Sequence, residues 1–234
     1  YSIEIEETEA SDEEKAERQE IESLHLVNDF ALGTFISNLK ETSEGKNIGL
    51  SYFKERGFLE STIDAFQLGY SLNESDSLKK AALAKGFSLE RLQSLGLVSE
   101  KGFDFFRGRV IFPIHSVSGK VIGFGGRTLR EAPRSPKYLN SPESPVYNKR
   151  KSLYGLHLAR HDIRRNDRCY LVEGYTDVIS LYQSGIQNVV ASSGTSLTED
   201  QVKLIKRFTP NITVLYDGDP AGVKNEGGML DGVI

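Results

Sequence analysis

The stretch Cys169-Tyr170-Leu171-Val172-Glu173-Gly174-Tyr175-Thr176-Asp177 contains two structural signals side by side. Residues 169–172 form a short apolar run, which favours a buried strand. Asp177 lies where a carboxylate stabilises the first turn of a helix. A strand followed at once by a helix is the unit from which parallel sheets are built. We therefore predict a strand over 169–172 and a helix over 177–183.

The residues on either side of this stretch repeat the same alternation. A helical pattern at 153–161 precedes it, and apolar strand-like runs follow at 188–191 and 212–216, separated by an amphipathic segment at 198–208. Strands that alternate with helices indicate a parallel sheet with helices on its faces. The sequence therefore predicts an α/β subdomain over residues 166–234.

Acidic residues directly follow two of the predicted strands. Glu173 and Asp177 come after the first strand, and Asp217 and Asp219 come after the last. Because the carboxyl ends of parallel strands meet at one edge of a sheet, we expect these side chains to lie close together. Crowded carboxylates repel one another unless a cation lies among them, and hard oxygen ligands suit Mg²⁺ or Mn²⁺. The sequence thus predicts a divalent-metal site and the chemistry of phosphoryl or nucleotidyl transfer.

The first part of the chain has a different pattern. Ser11 followed by Glu14 is typical of a helix capping box, and apolar residues then recur at helical spacing as far as Leu39. Short helices are predicted at 43–56, 62–66, 76–85 and 89–95, followed by a β-hairpin of strands 110–114 and 120–124. Residues 132–145 hold four of the seven prolines and are predicted to form an ordered loop without regular structure. Residues 1–165 are therefore predicted to be an α+β N-terminal subdomain of helices and a hairpin sheet.

The charge of the chain is unevenly distributed. The net charge is −4, yet residues 1–28 carry ten acidic residues against Lys15 and Arg18, a balance of −8. Residues 105–165 carry thirteen Lys or Arg against three acidic residues, a balance of +10. A basic region of this kind favours a polyanionic partner such as nucleic acid, although the same charge can also simply solvate a fold.

Composition argues against several other classes of protein. The sequence has no apolar run of about 18 residues and no basic-then-apolar leader, so we expect no membrane association and predict a cytoplasmic location. The lone Cys169 cannot form an internal disulfide or a four-cysteine zinc site. The four histidines show no ligand spacing, so no zinc is expected in this chain.

A series of short strings runs along the chain in a fixed order: Tyr52-Phe53-Lys54-Glu55-Arg56-Gly57-Phe58, Phe106-Arg107-Gly108-Arg109-Val110-Ile111-Phe112-Pro113-Ile114, Gly123-Phe124-Gly125-Gly126-Arg127, Pro136-Lys137-Tyr138-Leu139-Asn140-Ser141-Pro142-Glu143, Leu153-Tyr154-Gly155-Leu156 and Val172-Glu173-Gly174-Tyr175-Thr176-Asp177. Each string alone is weak evidence, but their order over nearly the whole chain resembles the RNA polymerase core of bacterial DnaG-type DNA primases. The second part is similar to the Toprim fold, so the resemblance implies an α/β Toprim-like parallel sheet after the α+β part.

The resemblance also implies roles for particular residues. Glu173, Asp217 and Asp219 would be the catalytic metal ligands, with Asp177 as a further ligand. Capping of its helix is the alternative role of Asp177. Nucleotide and template binding is implied for five basic residues and two polar neighbours. The alternative role of all seven is to fold the proline segment. They are Arg107, Arg109, Arg127, Lys137, Lys149, Tyr138 and Asn140.

The activity implied by the resemblance is the synthesis of short RNA primers on single-stranded DNA from ribonucleoside triphosphates, with Mg²⁺ or Mn²⁺. Complete primases of this family also carry a zinc-binding domain and a domain that binds the replicative helicase. We expect this chain to be a fragment that lacks both, with its Toprim subdomain truncated at the C-terminus.

Other interpretations stay open at this point. The chain could be a Toprim nuclease or topoisomerase subunit that uses the same carboxylates to cleave DNA, or a non-catalytic module that only binds single-stranded DNA. Four phenylalanines near the arginines could stack template bases, although packing of the sheet is their alternative role: Phe103, Phe105, Phe106 and Phe112.

Overall fold

A long helix, α1 (Asp12–Glu41), begins the computed structural model, which describes residues 11–130, 136–192 and 196–216. The predicted capping box is confirmed, because the Ser11 hydroxyl accepts a hydrogen bond from the Glu14 N–H (3.2 Å) and the Glu14 carboxylate accepts one from the Ser11 N–H (3.0 Å). Helix α1 buries one apolar face, in which Phe35 meets Phe124 edge to face at 5.3 Å. This helix therefore covers the first sheet of the protein.

The next helical segment is wider than an α-helix. The helix predicted over 43–56 begins as a π-helix, Gly45–Leu50, and continues as α2 (Ser51–Glu55). A side chain at Gly45 would lie 1.9 Å from the Asn38 carbonyl oxygen, and one at Gly49 would lie 2.8 Å from both Leu39 and Tyr70. The two glycines thus allow the π-helix to pack closely against α1 and the sheet, a contact that local helical propensity does not reveal.

The first sheet is antiparallel and has four strands, in the order β1 (Gly69–Ser71), β2 (Arg109–His115), β3 (Val121–Thr128) and β4 (Tyr138–Asn140). The predicted hairpin is confirmed as its central pair, β2 and β3. Two short edge strands were not predicted, and β4 contradicts the prediction that the whole proline segment lacks regular structure. The prolines at 136 and 142 lie outside the three paired residues of β4, so they do not interrupt the hydrogen-bond ladder. The elements of this part are α3 (Glu60–Ala65), β1 (Gly69–Ser71), α4 (Ser77–Ala84), α5 (Leu89–Ser94), β2 (Arg109–His115), β3 (Val121–Thr128) and β4 (Tyr138–Asn140).

The second sheet is parallel, with three strands in the order β6 (Val189–Ala191), β5 (Cys169–Val172) and β7 (Ile212–Val214). Helices separate its strands along the chain, as the alternating pattern predicts, and the predicted fold class is confirmed. A short 3-10 helix, Lys149–Lys151, connects the two sheets. The elements of this part are α6 (Leu156–Asn166), β5 (Cys169–Val172), α7 (Tyr175–Gln183), β6 (Val189–Ala191), α8 (Glu199–Lys206) and β7 (Ile212–Val214).

One apolar core joins the two sheets. Phe112 from β2 lies in the same cluster as Val172 and Ala191 from the parallel sheet. Tyr154 bridges to β6, since its N–H donates to the Ala191 carbonyl (2.9 Å) and its carbonyl accepts from the Ala191 N–H (3.1 Å). Helix α6 packs with Leu171 of β5 through Ile163. The proposed division of the chain near residue 166 stays a prediction.

The structure can be compared with two expectations from composition, one about membrane-spanning segments and one about the single cysteine. Within residues 11–130, 136–192 and 196–216, no helix has the length and apolar character needed to cross a bilayer. Cys169 is buried in β5, where burial raises the pKa of its thiol to about 12. The thiol is therefore protonated and acts as a small core side chain.

Two histidines stack where β2 meets α6. The rings of His115 and His157 lie 4.1 Å apart between centroids at an interplanar angle of 29°, and His115 Nε2 is 2.8 Å from Gln67 Oε1. Burial lowers the pKa of His115 to about 4. Burial, together with the nearby positive charges of His115 and Arg160, lowers the pKa of His157 to about 3. Both rings are therefore neutral in the folded protein at neutral pH.

We expect the free energy of unfolding to fall by about 1 kcal/mol for each of these two histidines between about pH 7 and about pH 5.5. Both folded-state pKa values lie below the value of 6.5 for an ordinary histidine, so below that pH the unfolded chain binds protons that the folded protein does not. The stabilising contribution is full above about pH 7 and is lost progressively as the pH falls from about 6.5 toward 4. Urea unfolding at a series of pH values measures it.

His157→Phe keeps an aromatic ring against His115 and should remove about half of this pH dependence. His161→Gln changes an exposed residue of the same helix and should leave the dependence intact. An unfolding free energy that stays constant over this pH range would contradict the burial of the pair as neutral rings.

Candidate active site

Glu173 is the first residue after β5 and lies at the carboxyl edge of the parallel sheet. Its side chain is half-buried. Gly174 leads directly into α7, and Oδ2 of Asp177 accepts a hydrogen bond from the Gly174 N–H at 3.0 Å. Asp177 therefore has the capping contact that was its alternative role, and it fixes the loop that carries Glu173. Its role as a metal ligand stays a prediction.

The strand that leads to the second acidic motif lies beside β5. Strand β7 pairs in parallel with β5, and the Leu215 N–H donates to the Leu171 carbonyl at 2.8 Å. Burial raises the pKa of Tyr216, and the negative charge of Glu173 raises that pKa further. The described chain thus reaches the same edge of the sheet as Glu173.

The two remaining predicted ligands, Asp217 and Asp219, lie outside the residues that the structure describes. Within the described ranges, no group of three or more His, Cys, Asp or Glu side chains could hold a metal ion. The donor chemistry of Glu173 nevertheless fits a divalent cation, because a half-buried carboxylate at a strand end is a hard oxygen ligand. The complete set of ligands stays a prediction.

Tyr175 holds residues 173–177, here called the acidic loop, against the first sheet. Its ring stacks on Phe112 with centroids 5.0 Å apart and an interplanar angle of 8°, and it meets Tyr154 edge to face at 4.7 Å. Its hydroxyl donates a hydrogen bond to Asn140 Oδ1 at 2.6 Å. Because Tyr175 is two residues after Glu173, these contacts set the position of Glu173 relative to β4.

The glycine-rich string within β3 makes room for this arrangement. A Cβ atom at Gly125 would lie 2.5 Å from the ring of Tyr175, and one at Gly126 would lie 2.6 Å from the ring of Phe106. Successive residues of a strand face opposite sides of the sheet, so each glycine accommodates an aromatic ring on a different face. The glycines are therefore required by close packing of the sheet.

A cavity of about 620 Å³ lies between the acidic loop and β4. Glu173 and Asp177 form its acidic wall, and the partly buried Lys149 supplies a positive charge within the same space. Tyr138 and Asn140 of β4 also line this cavity. The structure thus brings five of the predicted site residues around one cavity, although they are far apart in sequence.

A second cavity, of about 680 Å³, has a lining that includes Tyr52, Arg127, Arg130 and Lys137. The Arg127 guanidinium lies 4.7 Å from the centroid of the Tyr52 ring and 5.7 Å from that of Tyr138, and it also donates a hydrogen bond to the Tyr52 hydroxyl. This network links the second cavity to the first.

Sequence reasoning did not assign a role to Arg56, which belongs to the same network. Its guanidinium lies 5.1 Å from the centroid of the Tyr52 ring, and its side chain is exposed. Its position could have suggested a role, because Arg56 belongs to the string 52–58, one of those that resemble DnaG-type primases.

Arg109 differs from the other predicted basic residues because it is only 4% exposed. Its guanidinium donates hydrogen bonds to the carbonyls of Gly126 (3.2 Å), Pro136 (3.0 Å) and Lys137 (3.2 Å). Burial lowers the pKa of Arg109. The contacts in the structure hold β3 to the segment that carries Lys137 and Tyr138, so any contribution of Arg109 to ligand binding through these contacts is indirect.

Comparison with known protein families shows which family has this architecture. A family model described as the DNA primase catalytic core, N-terminal domain, matches residues 34–160, and one described as Toprim-like matches residues 170–230. The first match covers more than half of the chain. The chain therefore belongs to the family of DNA primase catalytic cores, and the resemblance drawn from the short strings is confirmed.

Individual relatives agree with this assignment. The RNA polymerase domain of Mycobacterium tuberculosis primase DnaG has a TM-score of 0.84 at 31% identity, covering 90% of this chain and 71% of that chain. A structure of the DnaG primase catalytic domain bound to single-stranded DNA has a TM-score of 0.80 at 36% identity, covering 93% and 69%. A DNA primase of Halalkalibacterium halodurans is 42% identical over 208 residues, 87% of this chain and 34% of the relative. The chain spans about a third of the length of that curated relative.

Proposed function

We propose that this chain is the catalytic core of a DNA primase, an enzyme that joins ribonucleotides on a single-stranded DNA template by metal-dependent nucleotidyl transfer. One observation carries the proposal. Glu173 is held at the edge of the parallel sheet, in the wall of a cavity that also contains Lys149. A carboxylate beside a cation in one cavity suits a ligand that is a metal-bound phosphate chain.

The proposed metal ligands are Glu173, Asp217 and Asp219, with Asp177 as a further candidate. Toprim primase cores depend on a metal in general, and we propose Mg²⁺ or Mn²⁺ here because the predicted ligands are carboxylates. Such a cation, when bound, neutralises the triphosphate and favours deprotonation of the attacking 3′-hydroxyl. Asp177 also keeps the loop of Glu173 in place through its hydrogen bond to the Gly174 N–H.

The basic residues are proposed to bind phosphate at two positions. Lys149 lies in the cavity with Glu173 and is proposed to hold the triphosphate. Arg127, Lys137 and Arg107 are proposed to contact the template backbone, while Arg109 positions the segment next to them. Arg127 is preorganised for this role because two tyrosine rings hold its guanidinium.

The proposed partners follow from the same assignment. The related DnaG primase catalytic domain has a known structure bound to single-stranded DNA, which supports a DNA template as a partner of this chain. Ribonucleoside triphosphates as substrates, recruitment by the replicative helicase through a separate domain, and a cytoplasmic location stay predictions.

The direct test is an RNA synthesis assay with the full-length protein, a single-stranded DNA template and labelled ribonucleoside triphosphates. We expect short oligoribonucleotides in the presence of Mg²⁺ or Mn²⁺ and none in excess EDTA, because the proposed chemistry requires metal-bound phosphate. Binding of the template should persist in EDTA, since the basic residues contact DNA without the metal.

The same assay distinguishes the alternative functions. A Toprim nuclease or topoisomerase subunit would cleave DNA in a metal-dependent reaction and would join no nucleotides. A non-catalytic module would bind DNA equally well with and without metal and would yield no product under either condition. Either result would contradict the proposed primase activity.

A further inference from the structure

Phe103 is the exposed member of the four phenylalanines that surround Arg107 and Arg109. Phe106 and Phe112 are 1% and 0% exposed, and the half-buried Phe105 meets Phe106 edge to face at 5.0 Å. These three rings pack within the protein. Phe103 is 48% exposed, so packing of the sheet does not account for its position.

A tight turn holds Phe103 at the surface. The Ser99 N–H donates to the Phe103 carbonyl at 2.8 Å, and the Ser99 hydroxyl accepts from the Phe103 N–H at 3.2 Å. Gly102, which has a φ of +78°, donates its N–H to the Ser99 carbonyl at 2.8 Å. A left-handed residue at this position lets the chain reverse within a few residues.

The turn is also anchored to helix α4. The carboxylate of Asp104 accepts hydrogen bonds from the N–H groups of Leu78 (2.7 Å) and Lys79 (3.1 Å). The Lys79 ammonium donates to the Gly102 carbonyl at 2.6 Å. Phe103 is therefore presented by a backbone that is fixed on both sides, which lowers the entropy lost when a ligand contacts its ring.

A cation accompanies this exposed ring. The guanidinium of Arg107 lies 5.7 Å from the centroid of Phe103, and the Arg107 side chain is exposed. An aromatic ring beside an arginine is a common arrangement where a protein binds single-stranded nucleic acid, since the ring stacks on a base while the cation contacts phosphate.

The ring lies next to a group of basic residues, here called the basic track and defined as Arg107, Arg130, Arg127 and Lys137. Arg107 is beside Phe103, and the other three line one cavity. Asn73 lies between Gly108, which follows Arg107, and Arg130. A Cβ atom at Gly108 would lie 2.9 Å from the Asn73 amide, and the same amide, with its oxygen turned toward Arg130, is placed to accept from that guanidinium at 3.0 Å.

The strand pairing shows how far apart the two sides of the first sheet are. Arg109 at the start of β2 is paired with Thr128 of β3, and Arg127 of β3 is paired with Tyr138 of β4. Adjacent strands lie about 4.8 Å apart, so β4 and β2, on either side of β3, are about 10 Å apart. The cavity with Glu173 is at the β4 end, and Phe103 is at the other end.

We propose that Phe103 stacks on a base of the single-stranded template at the end of the basic track opposite Tyr138. The inference rests on the proposed function, since it concerns the template of that reaction. Arg107 binds the phosphate next to the stacked base. The contact with the base is independent of sequence, because every base presents a flat π-face.

The test measures the affinity of the full-length protein for fluorescein-labelled oligo(dT) by fluorescence anisotropy at several salt concentrations. Phe103→Ala should raise the dissociation constant by about fivefold or more, because one base–aromatic contact is lost. The salt dependence should be unchanged, since no charge is removed. Arg107→Ala should also weaken binding, but it should reduce the slope of the log–log salt dependence by about one.

Three further variants separate stacking from a general loss of apolar surface. Phe103→Tyr should retain the wild-type affinity, whereas Phe103→Leu should bind as weakly as Phe103→Ala. Leu26→Ala removes a side chain that is 61% exposed on α1, where His25 lies near Val121 at the opposite end of the β2–β3 hairpin from Arg109. This matched variant should bind like the wild type.

A spectroscopic measurement reports on stacking itself. Oligonucleotides with 2-aminopurine at successive positions should show at least one position whose fluorescence on binding changes in the wild type and does not change in Phe103→Ala. An affinity of Phe103→Ala within twofold of the wild type at every salt concentration would overturn the inference and leave the primase proposal standing. Failure of the wild-type protein to bind oligo(dT) would overturn template binding and this inference together.

Discussion

Replacing Glu173 by glutamine is expected to lower the rate of template-directed RNA synthesis by at least about 100-fold. Glutamine has nearly the same shape, so the contacts of Tyr175 with Phe112, Tyr154 and Asn140 should survive. The substitution removes only the negative charge that a divalent cation requires from its ligand. The measurement is the initial rate of primer synthesis with saturating nucleotide and Mg²⁺.

Two further measurements show whether this loss is due to the metal. Mn²⁺ binding, followed by electron paramagnetic resonance, should be weaker in Glu173→Gln, whereas the affinity for oligo(dT) should stay within twofold of the wild type. Glu199→Gln is the matched control, because Glu199 is an exposed carboxylate in the first turn of α8 that pairs with Lys203 at 3.5 Å. Synthesis by Glu173→Gln at more than half of the wild-type rate would refute the role proposed for this residue.

Replacing Gly125 by valine is expected to lower the free energy of unfolding by about 2 kcal/mol or more, and the Tm by about 5 °C or more. Valine favours strands, but its Cβ would lie 2.5 Å from ring atoms of Tyr175. That ring cannot move aside easily, because it is buried between Phe112 and Tyr154 and hydrogen-bonded to Asn140. Thermal unfolding followed by circular dichroism measures the effect.

The same substitution should also reduce RNA synthesis at a temperature where the variant is still folded. Displacement of Tyr175 would shift Glu173, two residues earlier in the chain, away from Lys149. Gly33→Ala is the matched control, since nothing lies within 4 Å of a Cβ atom at this position in α1. That substitution should be neutral or slightly stabilising, because alanine favours helices by about 1 kcal/mol over glycine. An unchanged Tm in Gly125→Val would contradict the packing described for Tyr175.

Features whose signals lie within a few residues were predictable. The capping box of Ser11 and Glu14, the hairpin of β2 and β3, and the strand–helix alternation after residue 166 are all present in the structure. Each depends on hydrogen bonds or periodicity between near neighbours in the chain. The position of Glu173 directly after a strand was predictable for the same reason.

Short edge strands were not predictable in this way. Strand β1 pairs Gly69 with Ile111, and β4 pairs Tyr138 with Arg127. Each has three residues, too few for an alternating pattern to stand out, and its stability comes from the strand beside it. In β4 the neighbouring prolines also favoured an irregular loop.

The roles of the two glycines within β3 could not be predicted, because each depends on an aromatic ring that packs on a different face of the sheet. A glycine-rich string can cradle phosphate where it opens a helix, but this string lies within a strand. The structure shows that Gly125 admits the ring of Tyr175 and Gly126 admits that of Phe106. Tyr175 lies fifty residues from Gly125 in the chain, so no local pattern links them.

Residue identity and spacing were sufficient to establish the family, the order of strands and helices in the second half, and an acidic residue at a strand end. The burial of individual side chains could not be predicted from that information. Arg109 and Arg107 are two residues apart in one basic string, yet the first is enclosed by three carbonyls and the second is exposed beside Phe103. The exposure of a side chain depends on which distant segments pack over it, so this distinction arises only when the chain has folded.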